Sequence, residues 1–284
     1  MASNTPVPWL TPKFLHAVGP NGLVRATERL LWSLGFEDVR VIDGSRDRGG
    51  DILAVRNREQ WVIQSKWSSS GPISADGVNE VNEAFQYYRA DTAVLVTNTT
   101  VSGPARKRAK SLKALGLNIS LWEGATLQEV GSRIPTHTRG YEPRTYQKRA
   151  IARVEADLKK TGRGLLILAT GLGKTLIGGQ VIARRLAANP SSRILVLSHL
   201  KDLSSQLEKE MWHHIPKSVA TGLLTGDSKP YTMDGLVTAT IESALNAVYE
   251  GYRPDLIMID GGKGQVNAAR EALTILGLDD LALS

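Results

Sequence analysis

Two short stretches of this 284-residue chain carry the groups that phosphate chemistry needs. Asp51 opens one run of apolar residues, and Gln64-Ser65-Lys66 lies near the end of the next. A carboxylate can hold a divalent metal that polarises a phosphodiester and generates hydroxide, and an ammonium can stabilise the charge that develops. Further along stands Ala169-Thr170-Gly171-Leu172-Gly173-Lys174-Thr175. A glycine turn leading into a helix presents backbone N–H groups to a phosphate; Lys174 would reach the β- and γ-phosphates and the Thr175 hydroxyl would bind Mg²⁺. Leu168 stands where such loops carry their first glycine.

These groups need elements to hold them. On a strand from Gln60 to Trp67, Gln64 and Lys66 share one face. Asn57-Arg58 makes a turn, so a hairpin brings Asp51, at the start of strand Asp51–Val55, beside that pair. Taken alone, the D-x₁₂-Q-x-K spacing fits a solvated hairpin face with incidental charges equally well. Around the hairpin the pattern predicts helix Gly22–Leu34 ended by Gly35, strand Val39–Ile42 and a polar turn Ser45–Gly50. Helix Asp76–Arg89, strand Thr92–Thr97, helix Pro104–Leu115 and strand Asn118–Leu121 follow, making an α+β unit. The helix Pro104–Leu115 carries Arg106, Lys107, Arg108, Lys110 and Lys113, either a phosphate grip or a solubilising face. Trp67 is expected to pack, and the five histidines show no paired ligand spacing.

Ile134–Pro143 reads as a linker. Beyond it the pattern predicts helix Tyr146–Lys160, a buried strand Gly164–Ala169 and helix Lys174–Ala188. Strand Arg193–Ser198, helix Asp202–His213, strand Leu236–Ala239, helix Glu242–Tyr249 and strand Asp255–Asp260 complete the series. Alternating strands and helices imply a parallel sheet covered on both faces. The expected domains are 1–135, 136–260 and a tail 261–284.

Composition fits this plan: 42% hydrophobic and 22% charged residues are typical of a globular chain with room for two domains. A net charge of +7 suits a polyanionic partner. With no cysteine, disulfides and thiolate zinc sites are excluded. No apolar stretch is long enough to span a bilayer, and Met1–Pro12 reads as a loose arm, so a cytoplasmic protein without a membrane role is expected.

The order Asp47-Arg48-Gly49-Gly50-Asp51-Ile52, Val62-Ile63-Gln64-Ser65-Lys66-Trp67, Val94-Leu95-Val96-Thr97-Asn98 and Leu121-Trp122-Glu123-Gly124 resembles the Mrr-like branch of the PD-(D/E)xK restriction endonucleases. The resemblance covers about 20 to 130. It implies a Mg²⁺-dependent DNA endonuclease of restriction type, with modified DNA one candidate substrate, and with Asp51, Gln64 and Lys66 catalytic and Asp51 a metal ligand. The family also carries a glutamate on the first helix; Glu28 falls about one turn late, and a surface role is expected for it.

The second half resembles the superfamily-2 helicases, especially the ATP-driven subunits of restriction enzymes. Arg144-Thr145-Tyr146-Gln147 is similar to their Q motif, and Ala169–Thr175 to their motif I. Val196-Leu197-Ser198-His199 resembles motif Ia, and Val237–Ser243 resembles a segment that contacts DNA. The resemblance implies a RecA-like lobe that binds ATP through Gln147, Thr170, Gly171, Leu172, Gly173, Lys174, Thr175 and Asp260, with Thr175 and Asp260 on Mg²⁺. Gly261 stands where the family carries its water-orienting glutamate, so binding without hydrolysis is expected, with Glu242 a substitute carboxylate to consider. From Pro254 to about Asp280, Asp260-Gly261-Gly262-Lys263-Gly264-Gln265-Val266-Asn267-Ala268-Ala269 resembles the excision-repair nuclease UvrC instead. The expected whole is an endonuclease joined to an incomplete motor lobe, with DNA as partner and a further helicase lobe or a methylation or specificity subunit supplied by others. The alternatives are a non-catalytic ATP- and DNA-binding module and a truncated fusion product.

Overall fold

The computed structural model describes residues 7–42, 50–134, 142–169 and 171–261, with isolated positions beyond. Two compact units meet in sequence between Thr136 and His137. The turn around Asp47, most of the linker, Thr170 and nearly all of the tail beyond Gly261 lie outside the described residues.

In the first unit, a 3-10 turn Pro8–Leu10 leads into α1 (Pro12–Ala17) and α2 (Gly19–Ser33). The Thr11 side chain accepts the Phe14 N–H and caps α1. Then come β1 (Glu37–Val41), β2 (Ile52–Arg56), β3 (Glu59–Lys66), α3 (Ala75–Tyr88), β4 (Thr92–Thr97), α4 (Gly103–Ala114), β5 (Ile119–Trp122) and α5 (Gly124–Ser132). The strands form one mixed sheet in chain order: β1–β2 and β2–β3 are antiparallel, β3–β4 and β4–β5 parallel. Asn57 and Arg58, both at positive φ (53° and 68°), make the tight turn whose twist suits a hairpin. That turn fixes the β2–β3 register, with Ile52 opposite Ile63. β4 is buried along its whole length, as an apolar β-branched strand covered on both faces must be. α3 and α4 cover one face through Val62, Val78, Val81, Ala84, Leu95, Ala105, Ala109 and Leu112, and α2 packs against β1, β2 and β3.

The second unit starts with α6 (Thr145–Thr161) and α7 (Lys174–Ala188), followed by β6 (Ile194–Ser198), α8 (Lys201–Met211) and β7 (Thr221–Leu224). β8 (Leu236–Thr240), α9 (Ile241–Tyr249) and β9 (Leu256–Ile259) complete it. Its sheet is fully parallel in the order β7-β8-β6-β9. Strand alternation sorts its core. Ile194, Val196, Leu236 and Met258 pack with α7 and α8, whereas Leu195, Leu197, Val237 and Ile257 pack with α9.

One expected element is missing. Gly164–Ala169 is no strand. Its side chains do alternate: Leu166 and Leu168 pack on α6 and α7 beside Ile151, Val154, Ile177 and Val181, while Leu165 and Ile167 are 70% and 76% exposed. It pairs with no described strand, because β9 ends the sheet. In a parallel pair alternate residues turn to the partner. Leu256 and Asp260 donate to Arg193 and Leu197 of the β6 side, so Ile257 and Ile259 turn their N–H and C=O groups toward the open side. The β7 strand and α5 were not legible as separate elements: each is short, and Thr221-Gly222-Leu223-Leu224 has no β-branched run.

Candidate functional site

In the first unit the expected residues meet. Continuing the β2–β3 register places Asp51 opposite Gln64. The Asp51 N–H donates to the Ile63 carbonyl at 2.8 Å, and its carboxylate accepts the Ser65 N–H at 2.5 Å. The carboxylate is thereby held against β3. The Gln64 side chain is buried, and its Oε1 has no hydrogen-bond partner among the described residues. A buried amide oxygen without a donor is costly in an apolar setting and can be satisfied by a cation or water. Lys66, two residues on and on the same face, makes an ion pair with Glu80 of α3.

Two surroundings need correction or addition. Glu28, expected at the surface, is 4% exposed on the inner face of α2. Arg25, one turn earlier, has its pKa lowered by burial, an effect the Glu28 charge partly opposes. The surface expectation rested on Glu28 falling about one turn late for the glutamate of the resembled family, and the sequence pattern did not show which helix face it occupies. Glu80 was missed; the only sequence signal is its place on the helix that follows the Gln64-Ser65-Lys66 strand. Trp67 packs as expected, its indole N–H donating to the Leu15 and His16 carbonyls, both at 3.1 Å. On α4, Arg106 is tied to Glu123 at 2.6 Å and Arg108 to Asn79 at 2.9 Å, whereas Lys107, Lys110 and Lys113 are exposed.

In the second unit two glycines shape the turn that leads into α7. Gly171 and Gly173 have φ of 82° and 78°, a region L side chains avoid. A Cβ on Gly173 would come within 2.6 Å of the Gln147 amide nitrogen. α7 begins directly after Gly173 with no side-chain cap, leaving its first N–H groups for an anion. The Lys174 ammonium donates to the Leu168 carbonyl at 3.0 Å, across the mouth of the turn. Gln147 is buried, with both ends of its amide engaged: it accepts the Arg144 N–H at 2.8 Å and donates to the Leu172 carbonyl at 3.2 Å. The Tyr146 hydroxyl donates to the same carbonyl at 3.1 Å. The segment similar to a Q motif therefore braces the glycine turn.

Lys174, Thr175, Asp260 and Gly261 line one cleft of about 370 Å³, walled by Gly164–Leu166 on one side and Met258 and Ile259 on the other. Glu242 lines a different cleft with His199, Lys201, Thr225, Asp227 and Ser243, at the C-terminal ends of β6, β7 and β8. It does not line the cleft of Lys174 and Asp260. α7 lies close on β9 through Gly178, where a Cβ would meet Met258 at 2.4 Å, and close on the turn after α8 through Gly179, where a Cβ would meet His214 at 2.3 Å. Burial, followed by the charge of His213, lowers the His214 pKa to about 4.

Residues 15–130 match the family model of the restriction endonucleases, and residues 140–261 match that of the type III restriction enzyme res subunit. The chain joins a restriction-endonuclease domain to a helicase-type domain. The boundary between the two matches falls in the same stretch as the break between the two compact units. The chain is also 43% identical over 63 residues to UvrABC system protein C of Nitrosomonas europaea, which covers 22% of the chain and 10% of that protein. It is 57% identical over 37 residues to the same-named protein of Aromatoleum aromaticum, covering 13% and 6%. The chain thus spans a tenth or less of these relatives. Among solved structures, the ATP-dependent Type ISP restriction-modification enzyme LlaBIII bound to DNA matches with 16% identity over 95% of this chain and 21% of that one, at a TM-score of 0.42. The UvsW helicase from Bacteriophage T4 matches with 16% identity over 64% and 69%, at a TM-score of 0.40. No described helix is long and apolar enough to cross a membrane.

Proposed function

We propose that the chain is a Mg²⁺-dependent DNA endonuclease whose second domain binds ATP without turning it over. The carrying observation is the buried Gln64 Oε1 on β3, which has no hydrogen-bond partner among the described residues, with the Asp51 carboxylate held on the neighbouring strand and Lys66 two residues on. A carboxylate and an amide oxygen are hard donors suited to Mg²⁺, so Asp51 and Gln64 would hold it. When bound, the ion supplies charge neutralisation and a more acidic water.

This chain's own residues do the rest. Asp51 stays fixed by the Ser65 N–H. Gln64, walled by β4 and α3, aligns the phosphate. Lys66 offers its ammonium to the negative charge that grows as water adds to phosphorus and one P–O ester bond breaks. The exposed Lys107, Lys110 and Lys113 give the DNA backbone a non-specific hold. ATP·Mg²⁺ would sit on the glycine turn, with Lys174 leaving the Leu168 carbonyl for phosphate and with Thr175 and Asp260 on the metal side. Gly261 has no side chain to orient a water, and Glu242 lines another cleft.

The test uses supercoiled plasmid with the full chain. Nicking with Mg²⁺ or Mn²⁺, lost in chelator and unchanged when ATP is replaced by a non-hydrolysable analogue, supports both halves. DNA-stimulated phosphate release would sink the second half, and absence of nicking with either metal would sink the first.

A further inference from the structure

Lys66 is a flexible ammonium on a four-carbon stem, and a group that must meet a developing charge has to be aimed. The structure shows how. α3 runs antiparallel across β3. At one end a Cβ on Gly77 would lie 3.7 Å from the Lys66 Cγ, and at the other the Tyr88 ring lies beside Gly50 and Val62. The Lys66 stem therefore passes over Gly77, where Ile73 leaves no space for a side chain: its Cγ2 is 2.7 Å from the added Cβ position. Glu80, one helical turn beyond Gly77 on the same face, takes the ammonium in an ion pair. The geometry points to Glu80 as a positioning residue of the nuclease site, acting through Lys66. This rests on the nuclease reading above.

The pair is a poor structural brace. Its side chains are 30% and 42% exposed, and partly exposed ion pairs contribute little to folding. Its local use is directional: Glu80 confines the ammonium to the α3 surface beyond Gly77, while Gln64 stands two residues earlier on the same face of β3.

The experiment compares the full chain with Glu80→Gln, Glu80→Asp and, on the exposed side of α3, Glu83→Gln. Plasmid nicking gives kcat and KM for DNA, and thermal unfolding is followed alongside. Glu80→Gln should lower kcat by about 10- to 100-fold, with KM within about twofold and Tm unchanged. Glu80→Asp should recover part of the loss, and Glu83→Gln should behave as the parent. In a Lys66→Ala background, Glu80→Gln should cost nothing further, because its effect runs through the lysine. A second readout is independent of cleavage: mass spectrometry after brief acetic anhydride treatment should show Lys66 acetylated faster in Glu80→Gln. Parental kcat in Glu80→Gln, or an equal further loss in the Lys66→Ala background, overturns the proposal while leaving the nuclease reading standing. A parent that does not nick at all removes the nuclease reading and this proposal with it.

Discussion

The two units solve the same problem, holding a few polar groups against a sheet, by opposite means. In the nuclease domain Asp51, Gln64 and Lys66 come from neighbouring strands of one hairpin, within a sheet whose central strand is paired on both sides. In the helicase-type domain the glycine turn hangs from Gly164–Ala169, a segment paired with no described strand, and is steadied by side chains: Gln147 and Tyr146 on Leu172, and Lys174 on Leu168. A site made from adjacent strands needs only its hairpin. A site made from a loop needs everything that frames the loop.

The contrast can be broken most sharply at the hairpin. Asp51→Ala or Lys66→Ala should lower nicking by about 1,000-fold, the scale of losing a preorganised charge at the transition state, while leaving nucleotide binding as in the parent. If nicking persists in both, the hairpin is not the site.

Acid should act on the second unit. His214 is buried, its Nδ1 finds no partner among the described residues, and its pKa lies at about 4 against 6.5 in an unfolded chain. The stability is fully present above pH 6.5. It is lost as pH falls toward 4, because unfolded chains take up a proton that the folded site refuses. At about 1.4 kcal/mol per pH unit the loss reaches at most about 3 kcal/mol. Urea unfolding of this unit at pH 7 and pH 4.5, followed by hydrogen exchange on β6 and β8, checks it; His214→Leu should flatten the dependence.

Nucleotide binding should respond next. Lys174→Ala is expected to weaken binding of a fluorescent ATP analogue by about 10- to 100-fold, and Gly261→Glu should not weaken it. Equal affinity in Lys174→Ala would mean that the glycine turn is not a phosphate site. The smallest effect belongs to α4. Neutralising Lys107 and Lys110 together should weaken DNA binding alike for all sequences and reduce the salt slope by about one unit per lost phosphate contact. An unchanged slope would turn that face away from DNA.

Much of the nuclease fold was legible. Asn57-Arg58 between two apolar runs gave the hairpin, and the period-two spacing of Gln64 and Lys66 gave their shared face. Glu80 was not legible, because its partner is reached across an α3–β3 contact that no local pattern encodes. Glu28 went astray for the same reason: a charged residue on an amphipathic helix reads as exposed until the helix face is known. In the second unit the alternation of strands and helices foretold a parallel sheet, yet Leu165-Leu166-Ile167-Leu168 also promised a strand. Apolar content and periodicity state a preference; pairing needs a neighbour, and the neighbour is not written in the segment itself.

That open margin has a practical consequence for the molecule in solution. β9 offers the outward N–H and C=O groups of Ile257 and Ile259; Leu165 lines the cleft beside Ile259, and it and Ile167 are largely in water. Unprotected strand borders of this kind template the addition of other extended chains, and no charge or proline interrupts Leu256-Ile257-Met258-Ile259. Among the described residues no strand pairs with this margin of the helicase-type domain, which makes it the expected point of self-association. Light scattering should rise with concentration and temperature through this domain, and Ile167→Lys, at a side chain 76% exposed, should suppress it without touching the nuclease hairpin.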